Sequence, residues 1–186
     1  NPYLIATGEQ LAKAVQDNES TGKYYKIIED IKLNDTSAAD WKTTAKQWIW
    51  NSNIFRGNMN GDCHTVSGLY YNGTASKIGI FCYAKDANIK RIKLTDSYIY
   101  TTGFAAGAIL GDANSGSINI SDCYVTGYDR GTMLDATWQR DEPQAPDHGY
   151  VTGRIKLGTE SSGGFKNIAI TNCIFERCRG LALEMV

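Results

Sequence analysis

No apolar run in this chain approaches the roughly 20 residues that carry a helix across a bilayer. It opens at Asn1-Pro2 without the basic-then-apolar pattern of a secretion signal. The expectation is a soluble chain, mature or excised, with no membrane insertion. Neither sign of charge dominates: 19 basic and 20 acidic side chains leave a net charge of −1. A nucleic-acid partner or an anionic membrane surface would gain nothing from such a field. Histidine is confined to His64 and His148, and the five cysteines (Cys63, Cys82, Cys123, Cys173, Cys178) contain no CxxC pair. That argues against a zinc site and against a complete disulfide framework. No metal and no cofactor are expected, and the thiols read as small buried hydrophobes. Leucine is scarce beside isoleucine, 10 against 18, whereas Gly, Ser, Thr and Asn supply 59 residues. The bias is toward β-branched strands broken by many tight turns, which excludes an all-helical bundle. With 42% hydrophobic and 21% charged residues the chain can bury a core.

Self-comparison yields a repeat. Residues 92–99 (IKLTDSYI), 118–125 (INISDCYV) and 168–175 (IAITNCIF) share the order apolar, any, apolar, Ser/Thr, Asp/Asn, Ser/Cys, any, apolar. The copies start 26 and then 50 residues apart, one period of about 25 and then two. A second element, Gly107 to Leu110, Gly131 to Leu134 and Gly180 to Leu183, follows each copy, and Gly79 to Cys82 precedes the first. Units of this kind bury their apolar face only by stacking, about 4.8 Å apart. The expected fold is all-β, a right-handed parallel β-helix of about six coils forming one domain over 1–186. Alternation places Ile92/Leu94, Ile118/Ile120 and Ile168/Ile170 inward in one vertical file. Asp96, Asp122 and Asn172 would form a ladder at the bend, with Ser97, Cys123 and Cys173 behind it.

Upstream, Thr7 and Gln10 have capping-box spacing before a short helix that would cap the stack within residues 1–23. Residues 24–33 read as a strand pair, residues 48–55 as another with Trp48 and Trp50 on one side, and Asn60-Gly61 as a tight turn. The last residues, 181–186, are an apolar strand without a polar cap, which predicts end-to-end self-association or a partner chain.

Residues 24–127, on segments 25–33 (YKIIEDIKL), 55–70 (FRGNMNGDCHTVSGLY), 89–94 (IKRIKL), 107–111 (GAILG) and 123–127 (CYVTG), resemble the GLUG-type solenoid repeats of bacterial surface proteins. The resemblance implies adhesion or display at the cell surface and no catalytic residues. Residues 117–186, with their own coils over 128–186, are similar on Gly153 to Ile168, Asn172-Cys173 and Arg179 to Glu184 to the C-terminal coils of polygalacturonase-type, pectin-lyase-like glycoside hydrolases, also parallel β-helices. A natural recombination or an assembled chimera would account for the join; a purely structural alternative is a spacer in which the coils only extend.

Inverting hydrolysis needs two carboxyl groups about 6.5 to 9.5 Å apart. Neither the Asn-Thr-Asp segment nor the Asp-Asp pair of the polygalacturonase pattern occurs here. Aligned on Gly158 to Glu160, the family's supporting His falls on Gly153, and its Arg-Ile-Lys triplet falls on Ala182, Leu183 and Glu184, reversing the charge. Catalysis is therefore not expected; the alternative is a pectin-directed hydrolase or an inactive remnant of one. Asp129, Asp135 and Glu160 are the candidate catalytic carboxylates left, in a stretch that also holds Arg130, Arg140, Asp141, Glu142 and the Asp147-His148 pair.

Aromatic residues suggest sugar binding. Tyr98 and Tyr124 occupy one repeat position and would stack outward as a platform for the apolar faces of sugar rings. Trp138, Arg154 and Lys156 complete the candidate carbohydrate-binding set. The expectation is a secreted or cell-surface bacterial module for adhesion or carbohydrate recognition, with a polysaccharide or cell-surface partner.

Overall fold

The computed structural model describes residues 1–103, 105–113, 116–127, 156–157, 167–176 and 184–185. Its strands are β1 (Tyr3–Ile5), β2 (Tyr24–Ile27), β3 (Ile31–Lys32), β4 (Ile54–Phe55), β5 (Asn58–Asn60), β6 (Thr65–Ser67), β7 (Tyr70–Gly73), β8 (Phe81–Ala84) and β9 (Ala87–Lys90). They continue as β10 (Lys93–Thr101), β11 (Leu110–Ala113), β12 (Ile118–Ser121), β13 (Tyr124–Gly127), β14 (Lys156–Leu157), β15 (Ile168–Thr171), β16 (Ile174–Glu176) and β17 (Glu184–Met185). The described residues hold one α-helix, α1 (Gly8–Val15), and a 3-10 turn at Trp41–Thr43. The class is all-β.

Every strand pairing among the described residues is parallel. The first sheet has the order β1-β2-β5-β9-β12-β15, the second β3-β6-β10-β13-β16 with β7 beside β10, and the third β4-β8-β11. Each sheet takes its strands in chain order, and β4-β5-β6, β8-β9-β10 and β11-β12-β13 each visit the third, first and second sheets in turn. Parallel neighbours need such a crossover because a tight hairpin can join only antiparallel strands.

Register makes the core continuous. Tyr3, Tyr25, Met59, Ile89, Ile120 and Ile170 pair one above the next in the first sheet. In the second, Ile31, Val66, Leu94, Val125 and Phe175 do the same. Met59, Ile89, Val66, Leu94 and Val125 are all buried, because alternation sends every second side chain inward. The helix closes onto this core with Leu11, Ala14 and Val15. Its start is the expected capping box: the Gln10 backbone N–H donates to the Thr7 hydroxyl (3.2 Å), and the Gln10 amide oxygen accepts from the Thr7 N–H (3.2 Å).

The self-alignment is corrected at its first copy. Ile118 pairs with Ile168 as expected, but its partner on the other side is Ala87, not Ile92. Ile92 lies five residues further along, level with Cys123: the Tyr124 N–H donates to the Ile92 carbonyl at 2.9 Å. The unit in phase with INISDCYV is therefore residues 87–94, ANIKRIKL. Both alignments put an apolar residue at alternate positions, so periodicity alone cannot separate them. The side chains of Asp122 and Asn172 do form a ladder step, Nδ2 of Asn172 donating to Oδ1 of Asp122 at 2.8 Å. Asp96 stands elsewhere, inside β10, with its N–H on the Thr126 hydroxyl (3.2 Å), and the Ser97 hydroxyl donates to the Thr126 carbonyl (3.2 Å). The residue level with Asp122 is Arg91, which shares its left-handed backbone (φ 55° at both).

A second correction concerns residues 48–55. Only Ile54 and Phe55 are in a strand; Trp48 is buried with its indole N–H on the Ile80 carbonyl (3.3 Å), whereas Trp50 is 48% exposed and donates to the Ser76 carbonyl (2.8 Å). The thiols divide as well. Cys82 and Cys123 are buried, but Cys63 is exposed, carried outward by left-handed backbone at Asp62 and Cys63 (φ 50° and 66°).

Candidate functional site: the outer face of the first sheet

If Met59, Ile89 and Ile120 point inward, their neighbours must point out. Tyr24, Asn58, Asn88 and Asn119 stand in register as one outward file. Two residues along, Lys26, Asn60, Lys90 and Ser121 form a second file. The strand spacing sets successive members about 4.8 Å apart. A groove of about 660 Å³ runs over these files, with Arg91 and Asp122 on its border.

The amides are linked. The Asn88 Nδ2 donates to Asn58 Oδ1 at 3.1 Å, and Asn58 Nδ2 donates to the Lys23 carbonyl at 3.3 Å. Each bond orients an amide and leaves further donors and acceptors for a ligand. Asn88 and Asn119 are exposed, and Tyr24 at the head of the file is 62% exposed, an open aromatic face beside polar groups. Lys26 is held by Asp62 (2.8 Å), whose carboxyl is lowered by that lysine. Lys90 and Arg91 are exposed and make no ion pair among the described residues. Asp122 is held below the usual carboxylate range first by the Asn172 amide, with Arg91 and Lys90 contributing.

Asp122 is the one carboxylate lining this groove among the described residues. A lone ionised carboxylate cannot supply the acid and base that glycoside cleavage requires. Among the described residues no three of His, Cys, Asp and Glu converge as metal ligands. What the groove offers is a row of amides, three cations, of which Lys26 is paired with Asp62, and one exposed aromatic ring.

No family model matches the chain. No solved structure matches it either. Over 119 residues it is 30% identical to a protein of Evansella cellulosilytica named "Putative Gly-rich membrane protein". The aligned part is 60% of this chain and 13% of that protein, so the chain spans a small fraction of the relative's length. Among the described residues no helix is long and apolar enough to cross a membrane.

The aromatic platform expected at Tyr98 and Tyr124 is not assembled. Tyr98 registers with Tyr70 and stacks on it (5.5 Å between ring centroids, 19° between planes), while Lys42 Nζ covers the Tyr98 ring at 4.6 Å. Tyr124 registers with Lys93 and Ile174, and Lys93 Nζ sits 5.8 Å from its ring centroid. Tyr98 lies five residues beyond Lys93, the residue in register with Tyr124, so the two tyrosines are not vertical neighbours. Lys156 begins β14, where it registers with Glu184. Asp129, Asp135, Trp138, Arg154 and Glu160, with the Asp147-His148 pair, lie outside the described residues.

The asparagine file is hidden in the repeat as aligned on Ile92, where Asn119 falls at an unspecified position beside Lys93. Its signal is legible once the phase is right: Asn58-Met59-Asn60, Asn88-Ile89-Lys90 and Asn119-Ile120-Ser121 are each polar, apolar, polar, led by Asn.

Proposed function

We propose that this chain is a right-handed parallel β-helix that recognises carbohydrate on the outer face of its first sheet, as a non-catalytic module of a secreted or cell-surface bacterial protein. Three parallel sheets filled in chain order support the β-helix, and its hand follows from the rule that crossovers between parallel strands are right-handed. The observation that carries the binding reading is the single file Tyr24, Asn58, Asn88, Asn119 within one groove. A pyranose presents hydroxyls at its rim and C–H groups on its faces. Amides satisfy the first and an exposed tyrosine ring the second. Coil spacing approximates the advance of one ring along an extended polysaccharide, so a chain laid along the file would meet one amide per sugar. The relative's name speaks of a membrane protein, which is in keeping with a cell-envelope setting.

Affinity electrophoresis through gels containing soluble polysaccharides, neutral and acidic, tests the proposal. The expected result is retardation by at least one polymer, lost in Tyr24→Ala and Asn88→Ala and kept in Tyr98→Ala. No retardation by any polymer, or equal retardation of all four proteins, overturns it.

A further inference from the structure

Two of the cysteines are stacked. Cys123 follows the left-handed corner at Asp122, and Cys173 follows the matching corner at Asn172. Ser121 pairs with Thr171 before them and Tyr124 with Ile174 after them, and the Ile174 N–H donates to the Cys123 carbonyl at 2.9 Å. Both side chains turn the same way: Cys123 Sγ donates to the Ser121 carbonyl (3.2 Å) and Cys173 Sγ to the Thr171 carbonyl (3.3 Å). Strand spacing sets their Cα atoms about 4.8 Å apart. A disulfide accepts Cα separations of about 4.4 to 6.8 Å, so side-chain rotation with little backbone movement can close the bond.

We propose that Cys123 and Cys173 form a disulfide site across two neighbouring strands, closed by exchange with a low-molecular-weight disulfide. Cys173, half-buried, is the point of entry. Its thiolate attacks one sulfur of the small disulfide and expels the first thiolate. The Cys123 sulfur, its proton passing to solvent, then attacks the Cys173 sulfur and expels the second. Two protein thiols are oxidised and one disulfide is reduced to two thiols. Burial pushes the Cys123 thiol up to about 12, with Cys173 adding to the effect, so the second displacement is the slow one. The bond spans the same 50 residues that separate Asp122 from Asn172. It restrains a long stretch in the unfolded chain, which is where cross-links stabilise most.

The experiment is overnight incubation of the whole protein with oxidised glutathione, alkylation of remaining thiols, and non-reducing peptide mapping, with thermal unfolding run in parallel. The expected result is a Cys123–Cys173 cross-linked peptide and a rise in Tm of roughly 8 °C or more, reversed by dithiothreitol. The rise is absent in Cys173→Ser and retained in Cys63→Ser. Mapping of the unmutated protein keeps the test decisive should a variant fail to fold. Recovery of glutathione adducts alone, of Cys173 joined to a different cysteine, or of the expected cross-link without a change in Tm overturns the proposal.

Discussion

Gly61 offers a sharp test of how closely β5 and β9 are stacked. The glycine follows β5, and its N–H donates to the Lys90 carbonyl at 2.8 Å. A Cβ built on it would lie 2.3 Å from the Arg91 carbonyl oxygen and 2.8 Å from the Ile92 Cα, closer than side-chain carbons approach anything in real proteins. Those neighbours are backbone and cannot swing aside. The Arg91 carbonyl already accepts from the Cys63 N–H (3.0 Å), and the Arg91 N–H donates to the Ser121 carbonyl (3.0 Å). Replacing glycine by alanine at an unstrained site stabilises by about 0.4–1 kcal/mol, through the unfolded chain. Overpacking costs about 1–3 kcal/mol. The clash wins, and Gly61→Ala is expected to lose about 1–2 kcal/mol, lowering Tm by roughly 2–8 °C for a chain of this size. Urea and thermal unfolding followed by circular dichroism read the change. A variant as stable as the parent, or more so, would refute the argument that the two backbones are in contact at this corner.

Further expectations follow the same geometry. Ile89→Ala, within the buried file, should cost about 2–5 kcal/mol in denaturant unfolding; Asn88→Ala beside it should cost no more than about 0.5 kcal/mol, and equal losses would contradict the in-and-out alternation. Burial raises the Asp17 carboxyl, but hydrogen bonds from Lys23 (2.8 Å) and from the Tyr25 hydroxyl outweigh it and leave the group below its ordinary value. A lowered carboxyl stabilises the fold above its unfolded value, about pH 4, and that contribution disappears as pH falls through the folded value. Asp17→Asn should therefore be less stable than the parent near pH 7 and approach it in acid, as read by unfolding at a series of pH values; a constant difference across that range would refute the ion-pair account. Brief alkylation with iodoacetamide under native, reducing conditions should modify Cys63 quickly and spare Cys82 and Cys123 until unfolding; prompt alkylation at either buried position, mapped by mass spectrometry, would contradict their burial.

Much of the class and the local order could be read from the residues themselves. Ile118 and Ile120 alternate with polar neighbours and are buried, and the Thr7 to Gln10 spacing marks the one described helix. The phase of the repeat could not be read, because the chain carries two short apolar patterns in succession, ending at Ile89 and at Leu94, and either matches INIS. Alignment on the second moves every vertical neighbour by five residues. That alignment sets Tyr98 beside Tyr124, although its partner in the structure is Tyr70. The better discriminator was the residue at the corner. Only one phase brings Asn88 over Asn58 and beneath Asn119, and it requires Arg91 in the left-handed region, which asparagine and aspartate prefer. Position 91 thus hid the pattern that Asp122 and Asn172 display. Trp48 and Trp50 depart from the expectation for another reason: they lie outside any strand, so a period of two does not govern them.

Unequal spacing has an evolutionary corollary. Asn58 and Asn88 are 30 residues apart, Asp122 and Asn172 are 50, and yet both pairs meet side by side. Extra length between matched corners leaves the pairing intact, so excursions can be lengthened, shortened or exchanged while the scaffold keeps its geometry. Such an arrangement lets selection rewrite what the protein presents to its surroundings without renegotiating how it folds.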